Sequence, residues 1–208
     1  MRIIVADDHF AIRRGLKDIL MEAYPQADID ETSDGQELLK MVRNGKCDIV
    51  ISDLSMPGPN GLEILKVIHS EYPKLPVLIL SMHPEDMYAI RVLKAGAAGY
   101  MTKDTAPDEL VRAVQLIMQG RRYITPNIAE KMASNLGGDN NKQPHELLSD
   151  RELDVMKLIA SGKTVSQIAA TLSLSVNTIS TYRARIMEKM NFETNSQLTF
   201  YAISNNLV

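Results

Sequence analysis

The sequence predicts an α/β domain with a doubly wound, parallel, five-stranded sheet in residues 1–120, and a small all-α domain in residues 147–208. In the first part, short apolar runs alternate with segments of helical period, which is the pattern of βαβ units around a parallel sheet. Residues 134–146, SNLGGDNNKQPHE, are rich in Gly, Asn and Pro and poor in large apolar side chains, which indicates a linker. Only helical periods follow that linker.

Short runs of apolar residues predict the strands of the sheet. Four runs, RIIVA, DIVIS, PVLILS and AGYMT, occupy residues 2–6, 48–52, 76–81 and 98–102. Residues 28–33, DIDETS, are a more polar candidate that we expect nearer an edge of the sheet. The helices between strands are predicted from apolar residues three and four positions apart. These are Ile12, Leu16, Ile19 and Leu20; Leu38, Leu39 and Val42; Leu62, Leu65, Val67 and Ile68; Ala89, Val92 and Leu93; and Leu110, Val111, Val114 and Ile117.

The region between the two domains, residues 121–146, is predicted to connect them and to carry one short helix. The stretch TPNIAEKMAS at 125–134 has helical character, and Pro126 stands near its start, where proline is tolerated.

Composition and charge exclude several classes of protein. Cys47 is the single cysteine, so neither an internal disulfide nor a cysteine metal cluster is possible. The chain has no apolar run of about 18 residues and no signal-peptide pattern at its start, so we expect a cytoplasmic protein with no membrane partner. Residues 1–120 hold 13 basic and 18 acidic side chains, whereas residues 147–208 hold 6 and 5. The acidic first domain favours a cation as ligand, and DNA binding by the second domain must be inferred from pattern rather than charge.

Polar side chains follow the predicted strands. Asp7 and Asp8 follow the first strand, Asp53 ends the third, Ser81 ends the fourth, and Lys103 follows the fifth. Open parallel sheets bind ligands outside the carboxyl ends of their strands, so we expect these side chains to meet. Clustered carboxylates need a counter-charge, which Lys103 and a hard divalent cation such as Mg²⁺ would supply. The set suits phosphoryl transfer to an Asp carboxylate.

Each of these residues also has a structural explanation when it is taken alone. An Asp after a strand is more often a turn residue or a helix cap, which is what we expect of Asp34 in SDGQ. A lone Lys103 is equally a solvated surface lysine, and a lone Ser81 is equally a helix cap. The occurrence of all five residues at strand ends favours a functional site.

Four motifs resemble the receiver domain of two-component response regulators, which has a flavodoxin-like fold. They are ADDH at 6–9, DLSMPGPNG at 53–61, LS at 80–81 and GYMTKD at 99–104. The resemblance covers residues 1–120. It implies that Asp53 accepts a phosphoryl group from a sensor histidine kinase. It also implies that Mg²⁺ is held by Asp7, Asp8, Asp53 and the main-chain carbonyl of Ser55.

The same resemblance implies a switch beside the phosphorylation site. Ser81 and Tyr100 would change position when Asp53 is phosphorylated, and Lys103 would contact the phosphoryl group. The surface formed by the fourth helix, the fifth strand and the fifth helix would change with them. Many receivers have Pro after this lysine, often in a cis bond, whereas this chain has Asp104, so the isomer of the Lys103–Asp104 bond stays open at this point.

Helix-capping residues divide the second domain into short helices. Ser149 with Glu152 forms a capping-box pattern, and Thr164 with Gln167 forms a second one. Gly162 suits the end of the first of these helices. Ser175 is placed to cap a third helix. A short helix, a tight turn and a further helix with small polar residues near its start form a helix-turn-helix pattern.

The third helix of this domain has one apolar face, made of Ile179, Tyr182, Ile186 and Met190. On pattern alone, a DNA-reading helix and a plain three-helix bundle with a solvated polar face are equally good interpretations. Residues 147–198 resemble the DNA-binding domain of NarL/FixJ (LuxR-type) regulators, and this resemblance favours the first. The predicted DNA-contacting residues are Asn177, Thr178, Ser180, Thr181, Arg183, Ala184, Arg185 and Lys189.

The chain departs from the LuxR-type pattern at two places, which affect the DNA sequence preference and the C-terminal end of the third helix. Many members have Lys-Thr-His where this chain has Ser180-Thr181-Tyr182, and Asn191 replaces a frequent Gly after the third helix. Regulators of this family dimerise through the fourth helix, here about residues 194–206. The resemblance therefore implies a homodimer of the phosphorylated protein through Leu198, Tyr201 and Ala202, unless these side chains only pack on their own domain.

The combined prediction is a phosphorylation-dependent, DNA-binding transcriptional regulator rather than an enzyme. The unphosphorylated first domain would mask the recognition helix or the dimer helix, and phosphorylated Asp53 would release it. One alternative is a phosphatase of the haloacid dehalogenase type, but that class places a D-x-D pattern after the first strand, where this chain has ADDH. Another alternative is a receiver whose output is contact with a protein rather than with DNA.

Overall fold

The structure, a computed structural model, describes residues 1–56, 61–105, 107–136, 143–172, 174–205 and 207–208. The chain forms two compact units, Met1–Asn135 and Leu136–Val208. Pro57, within the DLSMPGPNG motif, lies outside the described residues, as do residues 137–142 of the predicted linker.

The described part of the first unit contains a parallel sheet of five strands in the order β2-β1-β3-β4-β5. The strands are β1 (Arg2–Ala6), β2 (Asp28–Thr32), β3 (Ile49–Asp53), β4 (Val77–Ser81) and β5 (Gly99–Thr102). This arrangement confirms the predicted doubly wound fold. The polar strand β2 lies at an edge, as its composition indicated.

Helices connect the strands and cover both faces of the sheet. They are α1 (Phe10–Ala23), α2 (Gly35–Asn44), α3 (Gly61–Glu71), α4 (Glu85–Lys94) and α5 (Pro107–Met118). Asp34 caps α2, since its carboxylate accepts hydrogen bonds from the main-chain N–H groups of Gln36 at 2.8 Å and Glu37 at 2.9 Å. Asp34 is therefore the helix cap that its sequence context predicts.

The core lies between the sheet and the helices. Alternate strand residues point to opposite faces. One face, including Val5, Ile51 and Leu80, packs with Leu20 of α1 and with α5. Both β3 and β4 are buried along their whole length. The last residues of these strands, Asp53 and Ser81, are therefore polar groups at the end of an apolar core, and each needs a polar partner.

A further helix, α6 (Pro126–Leu136), follows α5 and begins within residues 125–134, where the sequence predicts a helix. Most of α6 belongs to the first compact unit. A short 3₁₀ helix, Pro144–Leu147, precedes the helices of the second unit. None of the helices in the described parts of the chain is long and apolar enough to cross a lipid bilayer.

The second unit consists of α7 (Asp150–Ala160), α8 (Val165–Leu172), α9 (Val176–Met190) and α10 (Asn195–Ser204). The predicted capping box is present, because Ser149 accepts from the Glu152 N–H and Glu152 accepts from the Ser149 N–H. Ser175 caps α9 by accepting from the Thr178 N–H at 3.0 Å.

The ends of two helices in this unit show why particular residues follow them. Gly162, after α7, has φ +80°, a left-handed conformation that glycine adopts without strain. Asn191, after α9, has φ 56° and ψ 45°, and asparagine tolerates this conformation better than most other side chains. The substitution of Asn for a common Gly therefore preserves the end of α9.

Candidate functional site

The carboxyl ends of β1, β3 and β5 bring the predicted charged residues together. The ammonium group of Lys103 lies 2.7 Å from Asp7 Oδ2 and 2.8 Å from Asp53 Oδ2. The side chains of Lys103 and Asp53 are each 2% exposed. The main-chain N–H of Lys103 donates to the Ser81 carbonyl at 2.9 Å, which fixes the segment after β5 against the end of β4. Parallel register thus places residues distant in sequence within one buried ionic cluster.

Burial and ion pairing act in opposite directions on these groups. Burial raises the pKa of the Asp53 carboxyl above its ordinary value, and the adjacent Lys103 acts against that rise. Burial alone would lower the pKa of Lys103, but its bonds to Asp53 and Asp7 outweigh this effect and raise it. Lys103 is therefore protonated at neutral pH and supplies positive charge at the centre of the cluster.

Ser55 and Gly61 both bond to the chain at the end of β3. The Ser55 main-chain N–H donates to Asp53 Oδ1 at 3.2 Å, and the Gly61 N–H donates to the Leu54 carbonyl at 3.0 Å. A Cβ at residue 61 would lie 2.5 Å from the main-chain oxygen of Asp53 and 2.8 Å from Leu54. Because backbone atoms cannot yield as a flexible side chain does, this position requires glycine. The glycine that ends the DLSMPGPNG motif therefore has a steric cause.

Four side chains offer possible ligand atoms that all lie within 4.8 Å of one another: Asp7, Asp8, His9 and Asp53. Among the described residues, Asp7 Oδ2 and Asp8 Oδ1 are buried oxygens without a well-formed hydrogen bond. Their close neighbours are Lys103 Nζ, 2.7 Å from Asp7 Oδ2, and His9 Nδ1, 2.8 Å from Asp8 Oδ1. Carboxylate oxygens are the ligands that a hard cation such as Mg²⁺ prefers, so Asp7, Asp8 and Asp53 fit that ion.

His9, which directly follows Asp8 in the ADDH motif, is not among the site residues predicted from the sequence. Its main-chain N–H donates to Asp7 Oδ1 at 2.8 Å, so it helps to orient that carboxylate.

The predicted switch residues, Ser81 and Tyr100, are both buried and meet at the main chain of His83. Ser81 Oγ accepts from the His83 N–H at 3.0 Å, and the Tyr100 hydroxyl donates to the His83 carbonyl at 2.7 Å. Burial raises the pKa of the Tyr100 phenol to about 12, so it is a hydrogen-bond donor at neutral pH. The sequence could not identify His83 as a partner of the switch residues, because its contacts to them are made by its main-chain N–H and carbonyl. The Lys103–Asp104 bond, left open above, is trans.

The predicted DNA-contacting residues lie on α9 in two different environments. Six of them are exposed, and those near the helix start have little side-chain bulk: Asn177, Ser180, Thr181, Ala184, Arg185 and Lys189. Three of the eight bond to residues outside α9. Thr178 bonds to the cap residue Ser175, Arg183 Nε donates to Asn195 at 2.9 Å, and Lys189 Nζ lies 2.6 Å from Glu152. The apolar residues Ile179, Ile186 and Met190 are buried, as their spacing predicted.

Two of the three expected dimer residues on α10 need a correction. Leu198 and Ala202 are 0% exposed, because they pack inside their own domain and cannot also present a surface to a partner. Tyr201 is half-buried, and its hydroxyl lies 2.8 Å from His145 Nδ1. The apolar residues that α10 exposes are Phe200 at 75% and Ile203 at 60%. The sequence could not select this face, since α10 is apolar on more than one side.

Comparison with known proteins agrees with this geometry. Residues 3–115 match the family described as response regulator receiver domain, and residues 146–202 match bacterial regulatory proteins of the luxR family. The chain is 35% identical over 208 residues to the response regulator UvrY of Escherichia coli strain K12, which covers 100% of this chain and 95% of that protein. It is 35% identical over 209 residues to the response regulator GacA of Pseudomonas viridiflava, covering 100% and 98% of the two chains.

A solved structure matches almost the whole length of the chain. RcsB from Salmonella enterica serovar Typhimurium, bound to promoter rprA in the presence of the phosphomimetic BeF₃⁻, has a TM-score of 0.68 and 29% identity. The match covers 98% of this chain and 99% of that one. The two matched domains, their order and the acidic cluster at the strand ends all agree, and the chain therefore belongs to the two-component response regulators of the NarL/FixJ family, in which a receiver domain precedes a LuxR-type DNA-binding domain.

Proposed function

We propose that Asp53 is the phosphoacceptor of this response regulator and that its phosphorylation by a sensor histidine kinase controls DNA binding by α9. The family to which the chain belongs consists of phosphorylation-dependent transcription regulators. The observation that carries the assignment of Asp53 is its buried carboxylate 2.8 Å from Lys103, with the carboxylates of Asp7 and Asp8 beside it. Asp34, which also follows a strand, is already used as a helix cap.

The residues around Asp53 suit a transfer in which the phosphorus–nitrogen bond of a phosphohistidine breaks as a phosphorus–oxygen bond to the carboxylate forms. Lys103 stays protonated and neutralises oxygens of the arriving group. Mg²⁺, held by Asp7, Asp8, Asp53 and the Ser55 carbonyl, would supply further charge neutralisation. Without these cations, a phosphoryl group carrying nearly two negative charges would meet three carboxylates.

The hydrogen bonds around His83 support a switch driven by the phosphoryl group on Asp53. Phosphoryl oxygens attract the Ser81 hydroxyl, which at present accepts from the His83 N–H. Movement of Ser81 changes the loop whose carbonyl accepts from Tyr100. A change in population from about 1:99 to 99:1 requires about 5.5 kcal/mol of differential stabilisation, which charge-assisted hydrogen bonds to Ser81 and Lys103 would share.

The output of the switch is promoter binding by α9 in a two-fold dimer. Small side chains such as Ser180 and Ala184 would permit close approach to base edges in the major groove, and the exposed Arg185 would contact phosphate. Exposed Phe200 and Ile203 of α10 provide an apolar face for the second protomer. Two protomers related by a two-fold axis fit paired DNA half-sites.

The curated relatives UvrY and GacA are response regulators. We propose that this chain, like them, is a regulator and not a hydrolase of external substrates. Asp53 is then an acceptor modified once per cycle, and no turnover of phosphomonoesters is expected.

Labelling with acetyl phosphate and Mg²⁺, followed by mass spectrometry of the intact chain, tests the acceptor. The wild type should gain one phosphoryl group, and Asp53→Asn should gain none. Asp34→Asn is the matched control and should be labelled like the wild type, because Asn also caps helices well. Persistent labelling of Asp53→Asn would show that the acceptor lies elsewhere.

A further inference from the structure

The segment after α5 turns back and pairs with the free edge of β5. The Tyr123 N–H donates to the Ala98 carbonyl at 2.8 Å, and Tyr123 forms a parallel bridge with Gly99. A Cβ at Gly99 would lie 2.9 Å from Tyr123 Cβ, so the close approach of the two chains depends on glycine. The edge of the sheet is therefore covered by residues of this chain.

Side chains hold this segment to both neighbouring helices. The Tyr123 ring is buried, and its hydroxyl donates to Glu109 of α5 at 2.9 Å. The Thr125 hydroxyl donates to Glu85, the first residue of α4, at 2.7 Å. Thr125 also accepts from the Ile128 N–H at 3.4 Å, and Ile128 is buried. The start of α6 is thus anchored by an apolar contact and by hydrogen bonds to two helices.

Glu85 stands directly after the loop that contains the switch contacts. That loop, residues 82–84, carries the His83 carbonyl that accepts from Tyr100. Burial raises the pKa of Tyr100 and of Tyr123, and the Glu85 charge adds to both effects, as expected of a carboxylate close to both phenols. Glu85, Lys103 and Asn127 also line one cavity of about 350 Å³. The start of α6 and the phosphorylation site therefore share a boundary.

We propose that residues 121–133 are bound to the receiver over the β5 edge instead of forming a free tether, and that the Glu85–Thr125 hydrogen bond couples this binding to phosphorylation. The coupling rests on the proposed role of Asp53. The buried Tyr100 bonds to loop 82–84 and holds it in the position from which Glu85 can accept the hydrogen bond of Thr125. Linker docking and the buried position of Tyr100 then favour each other. By linkage, if a docked linker strengthens the binding of a phosphoryl mimic, the bound mimic must strengthen docking by the same factor.

Hydrogen exchange of the full chain tests the docking, and titration with BeF₃⁻ and Mg²⁺ tests the coupling. Thr125→Val removes the hydroxyl and keeps the shape of the side chain. It should speed exchange in residues 121–133 at least fivefold, because the bonds to Glu85 and from the Ile128 N–H are both lost. It should weaken BeF₃⁻ binding about fivefold through the loss of the bond to Glu85. Thr125→Ser keeps the hydroxyl and should match the wild type. Glu85→Ala removes the other partner of the Glu85–Thr125 bond and should weaken BeF₃⁻ binding as Thr125→Val does, with no further weakening in the double variant.

Exchange of residues 121–133 at the rate of an unstructured chain in the wild type would overturn the docking. Faster exchange in Thr125→Val with unchanged BeF₃⁻ binding would overturn the coupling. A wild type that binds no BeF₃⁻ would instead contradict the role proposed for Asp53, and the exchange measurement would still decide whether the linker is docked.

Discussion

Lys103 Nζ and Asp53 Oδ2 lie 2.8 Å apart at the ends of β5 and β3, and the same ammonium group lies 2.7 Å from Asp7 Oδ2. Two buried carboxylates thus share one buried cation. A buried ion pair is costly to break from one side, because the remaining charge keeps its desolvation cost without its partner. The cluster therefore ties fold stability to the same residues that carry the proposed chemistry.

Replacement of Lys103 by Ala should lower the free energy of unfolding of the receiver by about 3 kcal/mol, because Asp7 and Asp53 lose their shared cation. Millimolar Mg²⁺ should restore part of this loss. The control is Lys17→Ala, which breaks a more exposed 2.6 Å pair with Glu31 and should cost about 0–1 kcal/mol. Guanidinium unfolding with and without Mg²⁺ measures both variants, and equal losses would contradict the special role of Lys103.

Two glycine-to-alanine changes should have opposite signs. In Gly61→Ala the added Cβ would lie 2.5 Å from the Asp53 main-chain oxygen. The free energy of unfolding of the receiver should therefore fall by about 2 kcal/mol or more, and acetyl phosphate should label the variant poorly. Gly15 lies within α1 and has nothing within 4 Å of an added Cβ. Gly15→Ala should therefore stabilise the receiver by about 0.5–1 kcal/mol. Thermal unfolding and labelling compare the pair, and a stable, fully labelled Gly61→Ala would refute the steric argument.

The Glu152–Lys189 pair should make the DNA-binding domain sensitive to acid. Burial alone would raise the pKa of Glu152, but Lys189 and the Ser149 cap outweigh it and hold the pKa below its ordinary 4.5. A carboxyl with a lowered folded-state pKa contributes its stability above the unfolded value and loses it as pH falls through the folded value.

Glu152→Gln keeps the cap acceptor and removes the charge. Its free energy of unfolding should be about 1 kcal/mol below that of the wild type at pH 7. This difference should shrink as the pH falls below the ordinary glutamate pKa of 4.5. Urea unfolding from pH 3 to 7 measures it, and a deficit independent of pH would rule out the ionic contribution.

Two substitutions on α9 should distinguish phosphate contacts from base contacts in DNA binding. Arg185→Ala should weaken binding to all sequences and reduce the slope of log affinity against log salt by about one unit. Thr181→Ala should weaken a specific site by about 1 kcal/mol or more and leave the salt slope unchanged. Arg14→Ala, at an exposed arginine of α1, is the control and should change neither quantity. Fluorescence anisotropy over a salt titration measures all three, and an unchanged slope for Arg185→Ala would argue against α9 as the DNA-facing helix.

Self-association should depend on the exposed face of α10. Phe200→Glu places a charge where an apolar partner surface is proposed, so dimerisation of the BeF₃⁻-treated protein should weaken at least tenfold. Met21→Glu alters an exposed apolar residue of α1 and serves as the control. Sedimentation velocity compares the two variants. A Phe200→Glu protein that remains dimeric like the wild type would place the interface elsewhere.

Some features follow from sequence because their causes are local. Apolar runs and helical periods predict the strands and most helices, since alternation and a 3.6-residue repeat are properties of neighbouring residues. The capping box at Ser149 and Glu152 and the cap at Ser175 are likewise local, and both are present. Asp7, Asp53, Ser81 and Lys103 could be singled out because parallel strands carry their carboxyl ends to one edge.

Other features required the tertiary structure. No local sequence pattern predicts that Tyr100 donates a hydrogen bond to the His83 carbonyl, or that Arg183 donates one to the side chain of Asn195. The sequence marked α10 as apolar but could not show that Leu198 faces the interior while Phe200 faces solvent.

The amino-acid sequence by itself determined the two-domain order, the βαβ pattern and the identities of the charged residues at the strand ends, because these depend on spacing along the chain. The tertiary structure alone decided that Lys103 pairs with both Asp7 and Asp53, that α10 exposes Phe200, and that Tyr123 and Thr125 bind the receiver. These contacts join residues from separate elements, and their energies depend on burial and on distances that arise only when the sheet and helices have packed.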